Sequence, residues 1–197
     1  MMSKKKLAVF ASGNGSNFEA IARACADGKL NAEVVLLVCD KPGAFCCERA
    51  QKLGIETFAV SPRDFDSKAH YESTIVDMLN ERHIDLICLA GYMRIITDVL
   101  LGAFPNRIIN IHPSLLPAFK GAHAIQDAFD YGVKVFGVTV HFVNEDLDGG
   151  RIIAQRAFEY HDRNIEQLES NIHAIEHVLY VEAIAKVLSG DGCILTD

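Results

Sequence analysis

Short runs of consecutive apolar residues alternate along the chain with longer stretches in which apolar positions recur every three or four residues, the spacing of one helix face. Residues 7–11, Leu-Ala-Val-Phe-Ala, open the pattern, and a glycine-rich turn separates them from helical spacing that begins near Asn17. A second run over 33–39 is closed by Lys41-Pro42-Gly43, and a helix near 45–53 leads to a third run near 56–60. Over 67–83, Tyr71, Ile75, Met78 and Leu79 share one helical face. The unbroken apolar run 86–90 behind them reads as a strand covered on both sides, as in a parallel sheet flanked by helices. A short helix near 97–103 precedes a strand over 107–111. Regular structure then stops across His112-Pro113-Ser-Leu-Leu-Pro117, because proline has no amide to donate. A helix near 122–131, strands near 135–143 and 152–159 and a long last helix complete the chain. In that helix Ile165, Leu168, Ile172, Ile175 and Leu179 make one apolar stripe.

Strand and helix alternate from the start, so the expected fold is α/β: a single-domain open twisted sheet, Rossmann-like and parallel in its first half and mixed in its second. No repeat, low-complexity segment or linker marks a boundary, and 197 residues suit one core. Within that domain an N-terminal half, about 1–105, carries a phosphate-binding turn, and a C-terminal half, about 106–197, carries the later polar motifs. Open sheets of this kind bind ligands beyond the carboxyl ends of their strands. Chemistry is therefore expected at the junctions marked by Ser12, Gly91, His112 and Asn144.

Charge narrows the class of partner. Lys and Arg number 19 against 26 Asp and Glu, a formal charge of -7. Sequence-independent nucleic-acid binding needs clustered basic residues, so it is not expected here. The cysteines Cys25, Cys39, Cys46, Cys47, Cys88 and Cys193 include no C-x-x-C pair and several sit in apolar runs, which reads as reduced core residues in a reducing compartment. Vicinal Cys46 and Cys47 lack His or Cys partners at ligand spacing, so no metal is expected. The apolar stretch after Lys4-Lys5-Lys6 is too short for a signal-peptide core, and no run approaches the roughly 20 apolar residues that span a bilayer. A cytoplasmic protein is expected.

Ser12-Gly13-Asn14-Gly15-Ser16-Asn17 follows the first strand and opens a helix. Its amides and hydroxyls face the positive end of that helix, a nest that suits a phosphate. With Phe18 at the last position it is not a complete G-x-G-x-x-G, and Asp40, followed at once by Lys41-Pro42, makes a poor ribose reader. A mononucleotide phosphate fits better than NAD. A plain tight turn with a Ser or Asn cap is the other reading.

Asn110-Ile-His112-Pro113 is the sharpest local signal. Residues two apart in an extended strand share a face, so an amide and an imidazole stand side by side while Ile109 and Ile111 hold the core face. Pro113 biases His112 toward that extended geometry; a strand-end histidine bonded to a loop carbonyl is the other reading. Asp148, in the glycine-ended loop Glu145-Asp-Leu-Asp-Gly-Gly150, is a candidate carboxylate partner for the histidine, with a plain solvated turn as the other reading. Gly91-Tyr-Met-Arg-Ile-Ile96 places Met93 and Arg94 where the chain leaves a buried strand, although an exposed arginine beside a helix cap reads equally well. Lys68 and the group His173, Glu176, His177 are uninformative by themselves; surface or capping roles are expected for the two histidines.

Taken in order and spacing, G-N-G-S-N after the first strand, A-G-Y-M-R-I, N-I-H-P-S-L-L-P, V-T-V-H-F-V and D-L-D-G-G resemble the glycinamide ribonucleotide formyltransferase family over nearly the whole chain. The resemblance implies the formyltransferase fold and transfer of a formyl group from 10-formyltetrahydrofolate, as co-substrate and without a metal, to the amine of glycinamide ribonucleotide in purine biosynthesis. It implies that Asn110, His112 and Asp148 are catalytic, that Gly15, Ser16 and Asn17 hold the substrate phosphate, and that Glu176 binds its ribose. It further implies a folate site lined by Lys68, Met93, Arg94, Ile95, Ile96, Asn110, Val143, Asn144 and Asp148. Small-molecule substrates, no nucleic acid, no membrane, and a monomer or homodimer follow from it. Lys68 stands where the family often has arginine, Arg151 where proline is common after D-G-G, and Lys120 where proline is usual before Gly121.

The residue types fit that chemistry. Attack of an amine on the formyl carbon makes an oxyanion that the Asn110 amide and a protonated His112 can stabilise, with Asp148 favouring the imidazolium and helping to return the proton to the departing nitrogen through water. The nearest alternative is a formyltetrahydrofolate hydrolase, whose family carries an additional N-terminal regulatory domain for which this chain has no room. A methionyl-tRNA formyltransferase would add a C-terminal domain and a basic face. A non-catalytic nucleotide-binding regulator would not need Asn110, His112 and Asp148 together.

Overall fold

The computed structural model of the chain describes residues 3–190. Its elements run β1 (Lys5–Ala11), α1 (Ser16–Ala26), β2 (Ala32–Cys39), α2 (Phe45–Leu53), β3 (Glu56–Ala59), α3 (Lys68–Glu81), β4 (Leu86–Leu89), α4 (Asp98–Ala103), β5 (Ile108–His112), α5 (Ala124–Tyr131), β6 (Val135–Phe142), β7 (Ile152–Glu159) and α6 (Ile165–Leu188). The strands form a single mixed seven-stranded sheet in the order β3-β2-β1-β4-β5-β6-β7. The backbone divides into two compact units between Ile109 and Asn110.

In the first unit β1 pairs in parallel with both β2 and β4, and β2 with β3. The chain thus starts in the middle, steps outward to β3 and returns on the other side of β1 to β4. Between β1 and β4 the direction of winding reverses, the place where such sheets open a crevice at their carboxyl ends. Leu7, Ala8, Val9 and Phe10 of β1 and Ile87 and Cys88 of β4 are wholly buried, which is why these strands read as unbroken apolar runs. Ser67 caps α3 by accepting the His70 amide at 3.0 Å, and Gly54 ends α2 in the left-handed conformation.

In the second unit β6 and β7 pair antiparallel. Asn164 caps α6, accepting the Gln167 amide at 3.0 Å. The buried stripe of α6 is Leu168, Ile172, Glu176, Leu179, Tyr180, Ala183 and Ile184. It drifts from the expected one: Ile165 and Ile175 lie half-buried on its flank, and a carboxylate occupies the stripe's centre.

Boundaries differ from expectation by one or two residues, with one difference of consequence. His112 is the last residue of β5 rather than the first of the loop, because the ladder ends only where Pro113 withholds its amide. The cysteines Cys25, Cys39, Cys46, Cys47 and Cys88 are free. Cys193 lies outside the described residues.

Candidate active site

The end of β5 presents Asn110 and His112 on one face, as their spacing predicts. His112 is buried, and its Nε2 lies 2.8 Å from the carbonyl oxygen of Phe119. A carbonyl only accepts, so Nε2 carries the hydrogen and Nδ1 faces the Asp148 carboxylate at 3.6 Å. The loop that supplies Phe119 is tied to β6: the Thr139 hydroxyl donates to Ser114 O at 2.7 Å and accepts from the Leu116 amide at 3.0 Å. The imidazole is therefore fixed by backbone on one side and met by a charge on the other.

Asp148 arrives on a strained turn. Its φ is 48°, in the left-handed region, and Gly121 N donates to its Oδ2 at 2.8 Å. The two glycines after it are dictated by close approach. A Cβ on Gly149 would lie 2.5 Å from the Cβ of Asp146, and one on Gly150 would lie 1.7 Å from the Phe142 carbonyl oxygen. Val143, half-buried, and Asn144, exposed, begin the same loop, and Asn144 Oδ1 accepts the Asp146 amide at 3.1 Å. Arg151, one of the noted departures from the resembling family, lays its guanidinium over the Phe142 ring at 4.8 Å. Lys120 is exposed.

A second histidine joins this group. His141 Nδ1 donates to the Phe142 carbonyl at 2.8 Å, so its Nε2 lone pair accepts from Asn110 Nδ2 at 3.2 Å. Burial pushes the His141 imidazole below its ordinary value and keeps it neutral, able to accept. That contact fixes which way the Asn110 amide points. Sequence reading gave His141 no role; the available signal was the polar pair Thr139 and His141 at alternate positions of an otherwise apolar strand.

On α6, Glu176 is buried and its carboxylate accepts from His173 Nδ1 at 2.9 Å. The carboxylate raises the imidazole's affinity for its proton. His173 is thus an exposed partner of Glu176, at the surface as one of its two expected roles had it.

In the first unit, Gly15 stands at the N-terminus of α1 with φ 75° and offers that helix no side-chain cap. A Cβ on Gly15 would lie 2.5 Å from the Cβ of Cys46, so glycine is required here for contact as well as conformation. Ser16 is half-buried and Asn17 buried at the helix start. Arg49 of α2 donates to the Asn14 backbone and side-chain oxygens at 2.9 Å and is ion-paired with Glu19 of α1, a tie on the turn that sequence spacing did not reveal.

Asp40 has a structural part. Its carboxylate accepts from the Ser12 hydroxyl and, at 2.7 Å, from Arg94 Nε, while Ser12 Oγ accepts the Met93 amide at 2.8 Å. This network fastens the segment after β4 to the end of β1. Lys68, Met93, Arg94 and Ile95 come together on a cleft of about 420 Å³, with Phe65 and Tyr92 among its other walls. Met93 is 61% and Ile95 67% exposed, an apolar lip of the kind that marks a binding site. Ile96 instead packs into the core.

A carboxylate-paired imidazole beside an oriented amide at the end of a strand is a constellation fit for proton transfer and for stabilising developing negative charge. The chain belongs to the formyl transferase family, which its residues 5–184 match. It is 50% identical over 185 residues to the phosphoribosylglycinamide formyltransferase of Bacillus subtilis (strain 168), covering 93% of this chain and 95% of that one. Among solved structures it is similar to phosphoribosylglycinamide formyltransferase from Bacillus halodurans, with TM-score 0.91, 48% identity, and 94% and 96% of the two chains covered. It is also similar to glycinamide ribonucleotide transformylase 1 from Geobacillus kaustophilus, with TM-score 0.91, 51% identity, and 94% and 99% covered. Among the described residues no helix is long and apolar enough to cross a membrane.

Proposed function

We propose that this chain transfers the formyl group of 10-formyltetrahydrofolate to the primary amine of glycinamide ribonucleotide, a step of purine biosynthesis. The observation that carries the reading is the convergence of Asn110, His112 and Asp148, with His141 orienting the amide. Full-length likeness to the Bacillus subtilis phosphoribosylglycinamide formyltransferase supports the substrate assignment.

The folate supplies the formyl carbon, and attack by the amine forms the new C–N bond while negative charge gathers on the formyl oxygen. Asn110, whose other amide hydrogen is free of His141, and the Nδ1–H of a protonated His112 are the donors for that charge. Asp148 offsets the positive charge of the imidazolium. As the bond to the folate nitrogen breaks, the ammonium proton passes through water, with Asp148 as carrier, to that nitrogen, so atoms and charge balance. The open N-terminus of α1, at Gly15, Ser16 and Asn17, suits the substrate phosphate, and Glu176 suits ribose hydroxyls. The cleft bearing Lys68, Met93, Arg94 and Ile95 suits an aromatic ligand with an acidic tail, and Lys68 meets such a tail as a point charge.

The protein is mixed with 10-formyltetrahydrofolate and deformylation is followed with and without glycinamide ribonucleotide. Turnover that requires the ribonucleotide is expected. Equal turnover without it would assign the site to hydrolysis.

A further inference from the structure

The end of β2 and the first turn of α2 bring Cys39, Cys46 and Cys47 together, their three sulfurs within 4.8 Å of one another. The Cys46 thiol donates to Cys39 Sγ at 3.6 Å. Cys46 and Cys47 alone offer too few ligands for a metal; the fold adds the third from a strand seven residues upstream, where no local spacing announces it. Cys39 and Cys46 are buried, while Cys47 reaches partly to the surface.

Three sulfurs bound to one zinc ion at about 2.3 Å stand about 4 Å apart. The 3.6 Å between Cys39 and Cys46 and the 4.8 Å upper limit on every pair lie close to that value, so small side-chain rotations suffice. The backbone around the group is already fixed: the Cys46 amide donates to Gly13 O at 3.0 Å and the Cys47 amide to Ala44 O at 2.9 Å. The positive end of α2 favours thiolates at this place.

We propose that Cys39, Cys46 and Cys47 form a three-thiolate site for zinc(II), with the fourth position open on the side of Cys47. Binding releases the thiol protons to solvent and leaves the ion three soft ligands, the donor set that selects zinc over hard cations. The site lies against the turn at Gly13 and Gly15, yet uses no residue assigned to formyl transfer.

The full-length protein, stripped of metal and kept reduced with a phosphine, is titrated with zinc(II) against a chromophoric chelator. One equivalent is expected to bind, with affinity falling at least about tenfold in Cys47→Ser and in Cys39→Ser and unchanged in Cys25→Ala. Cys47→Ser alters a half-buried position and keeps the test decisive if Cys39→Ser fails to fold. Cobalt(II) in place of zinc should give thiolate-to-metal charge-transfer absorption that Cys47→Ser weakens. No uptake by the wild-type protein, or uptake and absorption equal in wild type and Cys47→Ser, overturns the proposal.

Discussion

His112 donates from Nε2 to the Phe119 carbonyl, and this contact decides how the ring meets Asp148. With one nitrogen committed to a backbone acceptor, any further proton must sit on Nδ1, the atom 3.6 Å from Asp148 Oδ2. Gly121 N holds that same oxygen at 2.8 Å, so the carboxylate cannot swing away without losing an amide partner. Both side chains are at most 9% exposed, so water screens the pair little.

Replacing Asp148 with Asn keeps an oxygen for the Gly121 amide and removes only the charge and the proton carrier. Turnover should fall by about two to four orders of magnitude, with both Michaelis constants changed little. His112→Ala should show a loss of similar size with ligand binding retained. Steady-state kinetics with calorimetry of each ligand checks both; loss of binding at unchanged stability would make these residues binding groups instead.

His141 predicts an acid-side weakness. Burial depresses its folded value below 6.5, so its neutral form contributes stability in full above that pH, and the contribution is lost as pH falls through the folded value. Protonation also ends its acceptance from Asn110. Turnover should therefore decline on the acid side, and His141→Gln should lower kcat while reducing the acid loss of stability seen in thermal melts at stepped pH. His173 works in the opposite sense: its folded value is raised, so its contribution is present at acid pH and lost as pH rises through that value. Being half exposed, it contributes less.

The order of strands and helices was legible because short unbroken apolar runs, as at Leu7 to Phe10 and Leu86 to Leu89, mark strands covered on both faces, while the longer segments between them show helical spacing. Asn110 and His112 were legible because strand geometry alone puts them on one face. Partners that depend on tertiary approach were not. Phe119 acts through its carbonyl, which no side-chain identity announces, and Asp40 looked idle until the return of the chain after β4 brought Arg94 to it. Cys39 and His141 were hidden by the same cause: polar or reactive atoms inside apolar strands read as core.

Glycines in the turn after β1 separate sharply. Gly13 has no neighbour within 4 Å of an added Cβ, so Gly13→Ala should fold and work nearly as wild type. Gly15→Ala puts a Cβ into Cys46 and a side chain into the left-handed region, which alone costs about 1–2 kcal/mol. Chemical denaturation should register that loss, and the Michaelis constant for the ribonucleotide should rise more than that for the folate. Equal rises would place the phosphate elsewhere.

Asp40→Asn tests whether the network behind the cleft serves binding. The carboxylate of Asp40 is wholly buried and holds Arg94, whose side chain is 45% exposed, together with the Ser12 hydroxyl that receives the Met93 amide. Asn keeps one acceptor oxygen and loses the charge, so one of the two donors, Ser12 or Arg94, must give up its partner. A buried hydrogen bond to a charged group contributes about 1.5–3 kcal/mol, and exposure of Arg94 places the expected loss toward the lower end. The segment bearing Met93 and Ile95 should loosen while the turn at Ser16 and Asn17 stays in place. Affinity for 10-formyltetrahydrofolate should then fall about tenfold with the ribonucleotide constant little changed, read from the two Michaelis constants. A change confined to the ribonucleotide would detach Arg94 and Met93 from the folate and assign the cleft to another ligand.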